Sequence, residues 1–198
     1  MGDRVMGIVL SGLVMGMLLF LSFFAGCSST GRESAQAPVT PQEFAGWNLT
    51  INGSFQKILS LDENRALPSV TGHGFAVSTV GIKFGPYTCK GVDLRDLATL
   101  VGGIRPGDEL WVSAPDGYLW VFDSDQLEGR GFVTFNETLK EIPTPPLRII
   151  LMYEQDGKPL TYNDGGPCRI AIISEQRGVV TEGSAWVKWI DRIEVHRR

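Results

Sequence analysis

Cysteine, histidine and positive charge are all scarce in this chain. Three cysteines (Cys27, Cys89, Cys168) and two histidines (His73, His196) are spread over 198 residues. No C-x-x-C pair occurs, which removes the usual thiolate–imidazole zinc sites from consideration. There is no Gly-x-Ser-x-Gly elbow, no phosphate-binding loop and no dinucleotide fingerprint, so hydrolase, NTPase and nicotinamide chemistries lack their signatures. With 18 basic residues against 22 acidic ones the net charge is −4. No basic run exists, and nucleic acid is not an expected partner.

What the chain has in plenty is a hydrophobic beginning. Asp3 and Arg4 precede an almost unbroken apolar run over residues 8–25, which ends in Phe24-Ala25-Gly26-Cys27. A charged start, an apolar run, small residues and then Cys is the pattern of a lipoprotein leader, residues 1–26, with Cys27 as the acylated new N-terminus. The same run also suits an uncleaved anchor, since about 20 apolar residues suffice to cross a bilayer. Both readings place the remainder at the extracytoplasmic face of a membrane, in the cell envelope. Losing residues 1–26 removes one acid and one base, so the charge stays at −4. Residues 27–43, polar, Pro-containing and without period, read as a linker. Residues 44–198 then form one domain of ordinary size.

Within that domain strand signals dominate. Trp47, Leu49 and Ile51 alternate with polar residues, as in a half-buried strand. Ser60 and Glu63 have capping-box spacing, and the short helix they open must end before Pro68. Residues 75–84 read as a further strand. Asp93 can cap a second helix that presents Leu94, Leu97 and Ala98 on one face. Asp116-Gly117 marks a hairpin between residues 110–114 and 118–122, a pair rich in aromatics: Trp111, Tyr118, Trp120 and Phe122. Strands follow at 132–135, 147–153, 169–173 and 186–195. His73, between two glycines, reads as a turn residue, either merely exposed or a loop ligand. Few helices and many unevenly spaced strands predict a β-rich α+β domain with a mixed sheet. Cys89 and Cys168 read as two buried thiols or as a disulfide; spacing does not choose between them.

Six segments resemble the oxidoreductase molybdopterin-binding domain, the sulfite-oxidase-type fold. Residues 47–53 are similar to the family's opening "W.L.I.G" strand, and Leu67-Pro68-Ser69-Val70 to its "LP.V" helix exit. Residues 87–97 resemble "Y.GVPLRDLL", Asp116-Gly117-Tyr118 the "DGY" hairpin, and residues 151–160 "LAYEQNGEPL". Gly165-Gly166-Pro167-Cys168-Arg169, followed by the Val187-Lys188-Trp189 segment, resembles "GGPLR" and "VKW…RIEV".

The resemblance implies a molybdenum cofactor (molybdopterin) and oxidoreductase chemistry with an extracytoplasmic redox partner. It carries cofactor-binding roles onto Gly165, Gly166, Arg169 and Lys188, where glycines permit close approach and cations meet anionic oxygens. It also exposes a departure. The thiolate that ligates the metal in active members falls at Thr79, a neutral hydroxyl and a harder donor. Cys89 is the nearest thiol, but it lies inside the following motif. Three readings therefore stand: a cofactor-dependent oxidoreductase, a non-catalytic lipoprotein that keeps the fold as a ligand- or protein-binding module, and a pterin-binding domain without thiolate ligation. Replacing Arg169 with alanine should abolish cofactor retention and leave folding largely untouched.

Overall fold

Alternation of buried and exposed residues builds the first sheet. In β1 (Asn48–Asn52), Leu49 and Ile51 are fully buried between half-buried or exposed polar neighbours. β2 (Gln56–Ser60) returns antiparallel to it and runs into α1 (Leu61–Ala66). The Ser60–Glu63 capping box satisfies the orphan amides at the start of that helix. The computed structural model describes residues 44–197, which lie within one compact unit, Thr40–Arg198. The proposed leader at 1–26, the lipobox Cys27 and the segment 27–43 lie outside the described residues. Among the described residues no helix is long and apolar enough to cross a membrane.

The chain continues through β3 (Val70–Val77), β4 (Lys83–Asp93) and α2 (Leu94–Thr99), capped by the Asp93 side chain as its sequence predicts. Next come β5 (Glu109–Ser113), β6 (Leu119–Asp123), α3 (Ser124–Leu127), and the short pair β7 (Thr134–Phe135) and β8 (Glu141–Ile142). The last elements are β9 (Leu147–Gln155), β10 (Lys158–Pro159), β11 (Arg169–Ser174), β12 (Thr181–Glu182), a 3-10 turn at Gly183–Ala185, and β13 (Arg192–His196).

Three sheets organise these strands: a five-stranded one in the order β2-β1-β13-β5-β6, a six-stranded one built on β10-β9-β11-β3-β12, and the separate pair β7-β8. In the second, β4 pairs with both β3 and β9, so the ladder β9-β11-β3-β4 closes on itself. Bulges between Gly74 and Ala76 and between Lys90 and Gly91 supply the bend that closure needs. β9 and β11 are buried on both faces; Ile149, Ile150, Leu151 and Met152 in succession are at most 1% exposed. Each such side chain stabilises the fold by roughly 1.5–3 kcal/mol. Leu94, Leu97 and Ala98 of α2 complete the packing. The result is the β-rich α+β domain with mixed sheets that the sequence predicts.

Three local expectations need correction. Residues 75–84 are not one strand: the chain reverses at Ser78–Ile82, where the Ile82 amide donates to Ser78 Oγ at 3.0 Å and the Ser78 amide to the Ile82 carbonyl at 2.8 Å. Ser-Thr-Val-Gly turn chemistry overrides the β-propensity of Val80 and Ile82. His73 lies inside β3, paired with Thr88 and Ser174, rather than in a turn. The closing strand is shorter than 186–195. Residues 186–191 form an irregular crossover, hydrogen-bonded to the start of β11 (Ile170 amide to the Val187 carbonyl, 2.8 Å; Ile190 amide to the Cys168 carbonyl, 3.0 Å). Trp189 sits at φ 54°, which breaks the extended backbone before β13 joins the other sheet.

Candidate functional site

The crossover and three turns enclose a cavity of about 590 Å³. Its walls come from the β3–β4 turn (Thr79, Phe84), Tyr87 of β4, Tyr118 after the β5–β6 turn, and the crossover residues Trp186 and Trp189. Arg169 and Lys188 supply its positive charge; Asp116 and Asp164 line it as well. The volume is that of a small-molecule site with mostly apolar walls and few polar groups.

Arg169 opens β11, so the strand fixes its backbone while its side chain reaches the cavity floor. Nη1 donates to the Asp164 carbonyl at 2.9 Å and Nη2 to the Trp186 carbonyl at 3.2 Å, and the guanidinium lies 5.5 Å from the Trp186 ring centroid. Its Nε is buried without a hydrogen-bond partner. Burial pulls the Arg169 pKa down, yet a guanidinium stays charged. Lys188 donates from Nζ to the Asn163 carbonyl at 2.9 Å and lies 5.6 Å from the Trp189 ring centroid. Burial, and then repulsion from Arg169, lowers its pKa. Among the described residues neither cation forms an ion pair with a carboxylate. Among the described residues, the hydrogen-bond partners of the two cations are neutral carbonyls, and Asp164 offsets part of their charge from the same cavity without an ion pair to either.

The glycine pair stands behind this arrangement rather than in the cavity wall. Gly165 has φ +94°, and a Cβ there would come within 2.5 Å of Lys188 Cγ. A side chain at 165 would thus displace the lysine stem, which makes glycine the residue that sets Lys188 in place. The Gly165 and Gly166 amides donate to the carbonyls of Tyr162 and Thr161, both at 2.9 Å. Trp189 donates its amide to the Gly165 carbonyl at 3.0 Å, tying the turn to the crossover.

Thr79 is exposed and lines the cavity, while Cys89 is fully buried in β4 and does not reach the cavity surface. A Cβ on Gly74 would lie 2.5 Å from Trp186 Cη2 and 2.8 Å from Cys89 Sγ, so the bare glycine lets tryptophan and thiol pack against β3. Burial pushes the Cys89 thiol up to about 12, only partly opposed by the charge of Arg169. It is therefore a neutral thiol, and the thiolate is the form that binds metal. Cys168 is a second buried free thiol, approached by Asn64 Nδ2 at 3.7 Å. Among the described residues no cluster of three His, Cys, Asp or Glu side chains has metal-binding geometry.

Arg169, Lys188 and Thr79, singled out in the sequence, converge on one cavity. Phe84, Tyr87, Trp186 and Trp189 were not anticipated as its walls. The aromatic crossover reads as strand in sequence, and its left-handed residue Trp189 carries no glycine to announce the break.

The sequence model of the oxidoreductase molybdopterin binding domain matches residues 36–198. The chain belongs to that family. Among solved structures it is similar to the sulfane dehydrogenase SoxCD from Paracoccus pantotrophus, with a TM-score of 0.56 and 17% identity over 77% of this chain. The match spans 38% of the length of that chain. The likeness establishes the fold. No curated protein matches the chain.

The residues present fit one part of a molybdenum cofactor and not another. An anionic, partly aromatic group matches two cations that form no ion pair among the described residues, and walls of Tyr and Trp. A metal centre held by a protein thiolate does not fit, because Thr79 occupies the wall and Cys89 lies beneath it as a neutral thiol.

Proposed function

We propose that this chain is a membrane-tethered, extracytoplasmic oxidoreductase-like domain that holds molybdopterin in the Arg169–Lys188 cavity without a protein thiolate to the metal. The observation that carries this reading is the convergence of Arg169 and Lys188 on one cavity walled by Tyr and Trp side chains. Two cations brought to the wall of one cavity match an anionic ligand, and among the described residues the buried Arg169 Nε beside it has no hydrogen-bond partner. Arg169 would bind the anionic end through its guanidinium, Lys188 would add charge at the mouth, and Trp186 and Trp189 would flank a flat ring system. When bound, the cofactor supplies electron-transfer chemistry, with the redox partner in the same extracytoplasmic space. No step is assigned to the metal, since the chain offers it no fitting ligand.

A second reading is supported by the Thr79 position: a binding module that keeps the fold and takes another small anionic aromatic ligand. Purifying the full chain from a cofactor-making host and measuring released pterin by fluorescence separates the two. Pterin near one per chain supports the first, and a folded protein without pterin rejects it.

A further inference from the structure

We propose that the rim of the cavity is a membrane-contacting face, with the tip of the β3–β4 turn seated in the headgroup region of a bilayer. This rests on the tethered reading above. The rim is unusually apolar for a surface: Val80 is 78% exposed, Ile82 56%, Phe84 48%, Tyr118 43% and Tyr162 56%. These side chains belong to one region. Phe84 and Tyr118 line the cavity, Val80 directly follows the lining residue Thr79, and Tyr162 lies 5.3 Å from the ring of Trp189, another lining residue.

The turn is built to present its tip. Ser78 accepts the Ile82 amide on its hydroxyl and the Gly81 amide on its carbonyl, and its own amide donates to Ile82. Val80 and Ile82 thus project from a hydrogen-bonded reversal with no protein cover. Such exposed apolar clusters mark interaction sites. Tyr and Trp are the residues that favour the bilayer interface, and lysines can extend toward headgroups from an apolar base. Lys83 stands between Ile82 and Phe84 with its Nζ donating to the Glu137 carbonyl at 2.8 Å, and Lys188 lies at the mouth, with Asp116 and Asp164 the opposing charges that line the cavity. The chain as a whole is acidic, at −4, so general attraction to an anionic surface does not explain the contact and the apolar tip must carry it.

The point where the tether joins the domain, together with the apolar and aromatic rim, argues for a bilayer as the occupant. Phe44, the first described residue, enters beside this region: its Cζ lies 3.0 Å from where a Cβ on Gly166 would stand, and neighbouring Gly165 packs on Lys188. Sixteen residues, 28–43, separate Phe44 from Cys27. Fully extended they span at most about 50–58 Å. An anchor at Cys27 therefore keeps the cavity side of the domain within reach of the membrane.

The test uses the full chain carrying Ile82→Cys, labelled with an environment-sensitive fluorophore and reconstituted in vesicles containing brominated phosphatidylcholine. Cys89 and Cys168 are buried and take no label, Cys27 is acylated in the tethered reading, and the labelled parent chain sets the background. A matching label on exposed Asp96→Cys, on α2, is the control. The expected result is blue-shifted emission that loses most of its intensity to brominated lipid at position 82 and almost none at position 96. Adding Val80→Asp should remove that loss while the protein stays with the vesicles; quenching unchanged by Val80→Asp would overturn the proposal. A vesicle-bound protein whose two labels respond alike would overturn the docking face and leave the tether standing. Protection from aqueous iodide in native membranes, with no effect of brominated lipid, would assign the face to a protein partner instead. Release of the native protein from its membranes by a carbonate wash would remove the tether itself, and this proposal with it.

Discussion

Truncating Arg169 to alanine separates the two roles that the cavity gives this residue. In the fold, its guanidinium makes two hydrogen bonds to carbonyls, at 2.9 and 3.2 Å. Bonds from an ionised donor are worth about 1.5–3 kcal/mol each. The freed carbonyls of Asp164 and Trp186 can take water from the cavity, and removal of a buried charge with an unpaired Nε returns part of its desolvation cost. The net loss should be about 1–2 kcal/mol, or a Tm lower by roughly 2–8 °C for a domain of this size. That differs from the sequence-based expectation of untouched folding, because the sequence gives no sign of the two carbonyl contacts. Toward the ligand the loss is larger. Truncating a buried, charged partner costs about 2–4 kcal/mol, which is roughly 30-fold to several hundred-fold in Kd. Purified Arg169→Ala should therefore melt cooperatively at a slightly lower temperature and carry almost no pterin by released fluorescence. A folded variant that keeps the pterin of the parent chain would refute the role assigned to Arg169.

Other perturbations address the remaining parts of the site. Lys188→Met should weaken retention by only about tenfold, since its ammonium is half exposed and already donates to Asn163, and pterin titration measures the difference. Gly165→Ala strains a backbone at φ +94° and drives a methyl into the Lys188 stem; a loss of about 1–3 kcal/mol in urea unfolding is expected, with pterin lost in parallel. The Cys89 thiol is held protonated in the folded state, up to about 12 against an ordinary value of 9.0. Its share of stability is fully present below pH 9 and is lost as pH rises toward 12, because the unfolded chain gives up that proton first. Tm should fall over this window, and less steeply in Cys89→Ala. Thr79→Cys places a thiol on the cavity wall, so molybdenum per pterin, measured by mass spectrometry, should rise above the parent value. An unchanged ratio would show that position 79 does not face the metal.

Sequence legibility followed the range of the interaction. The Ser60–Glu63 and Asp93 caps and the Asp116-Gly117 turn depend on residues within a few positions of each other, and all stand where the sequence puts them. α3, with its Asp123–Gln126 capping box, carried the same kind of signal and went unread because the flanking segment was dominated by strand-forming aromatics. The crossover was illegible for a different reason. Its path is set by hydrogen bonds from residues 187–190 back to Gly165, Cys168 and Ile170, and no local propensity encodes them. The cavity itself joins Thr79, Tyr118, Arg169 and Lys188 from four separated segments. Their convergence depends on the closed β9-β11-β3-β4 ladder, the crossover and the β5–β6 hairpin, whose Tyr118 hydroxyl donates to the Ser184 carbonyl at 2.9 Å. Motif resemblance picked out Arg169 and Lys188 as ligand residues; Tyr87 opens the "Y.GVPLRDLL" segment, but only the fold brings it and Trp186 to the wall.

The most direct measurement is the cofactor content of the full chain made in a host that synthesises molybdopterin, with pterin and molybdenum quantified on the same sample. The account predicts pterin near one per chain in the parent and almost none in Arg169→Ala. A parent protein that is folded, melts cooperatively and contains no pterin would contradict it.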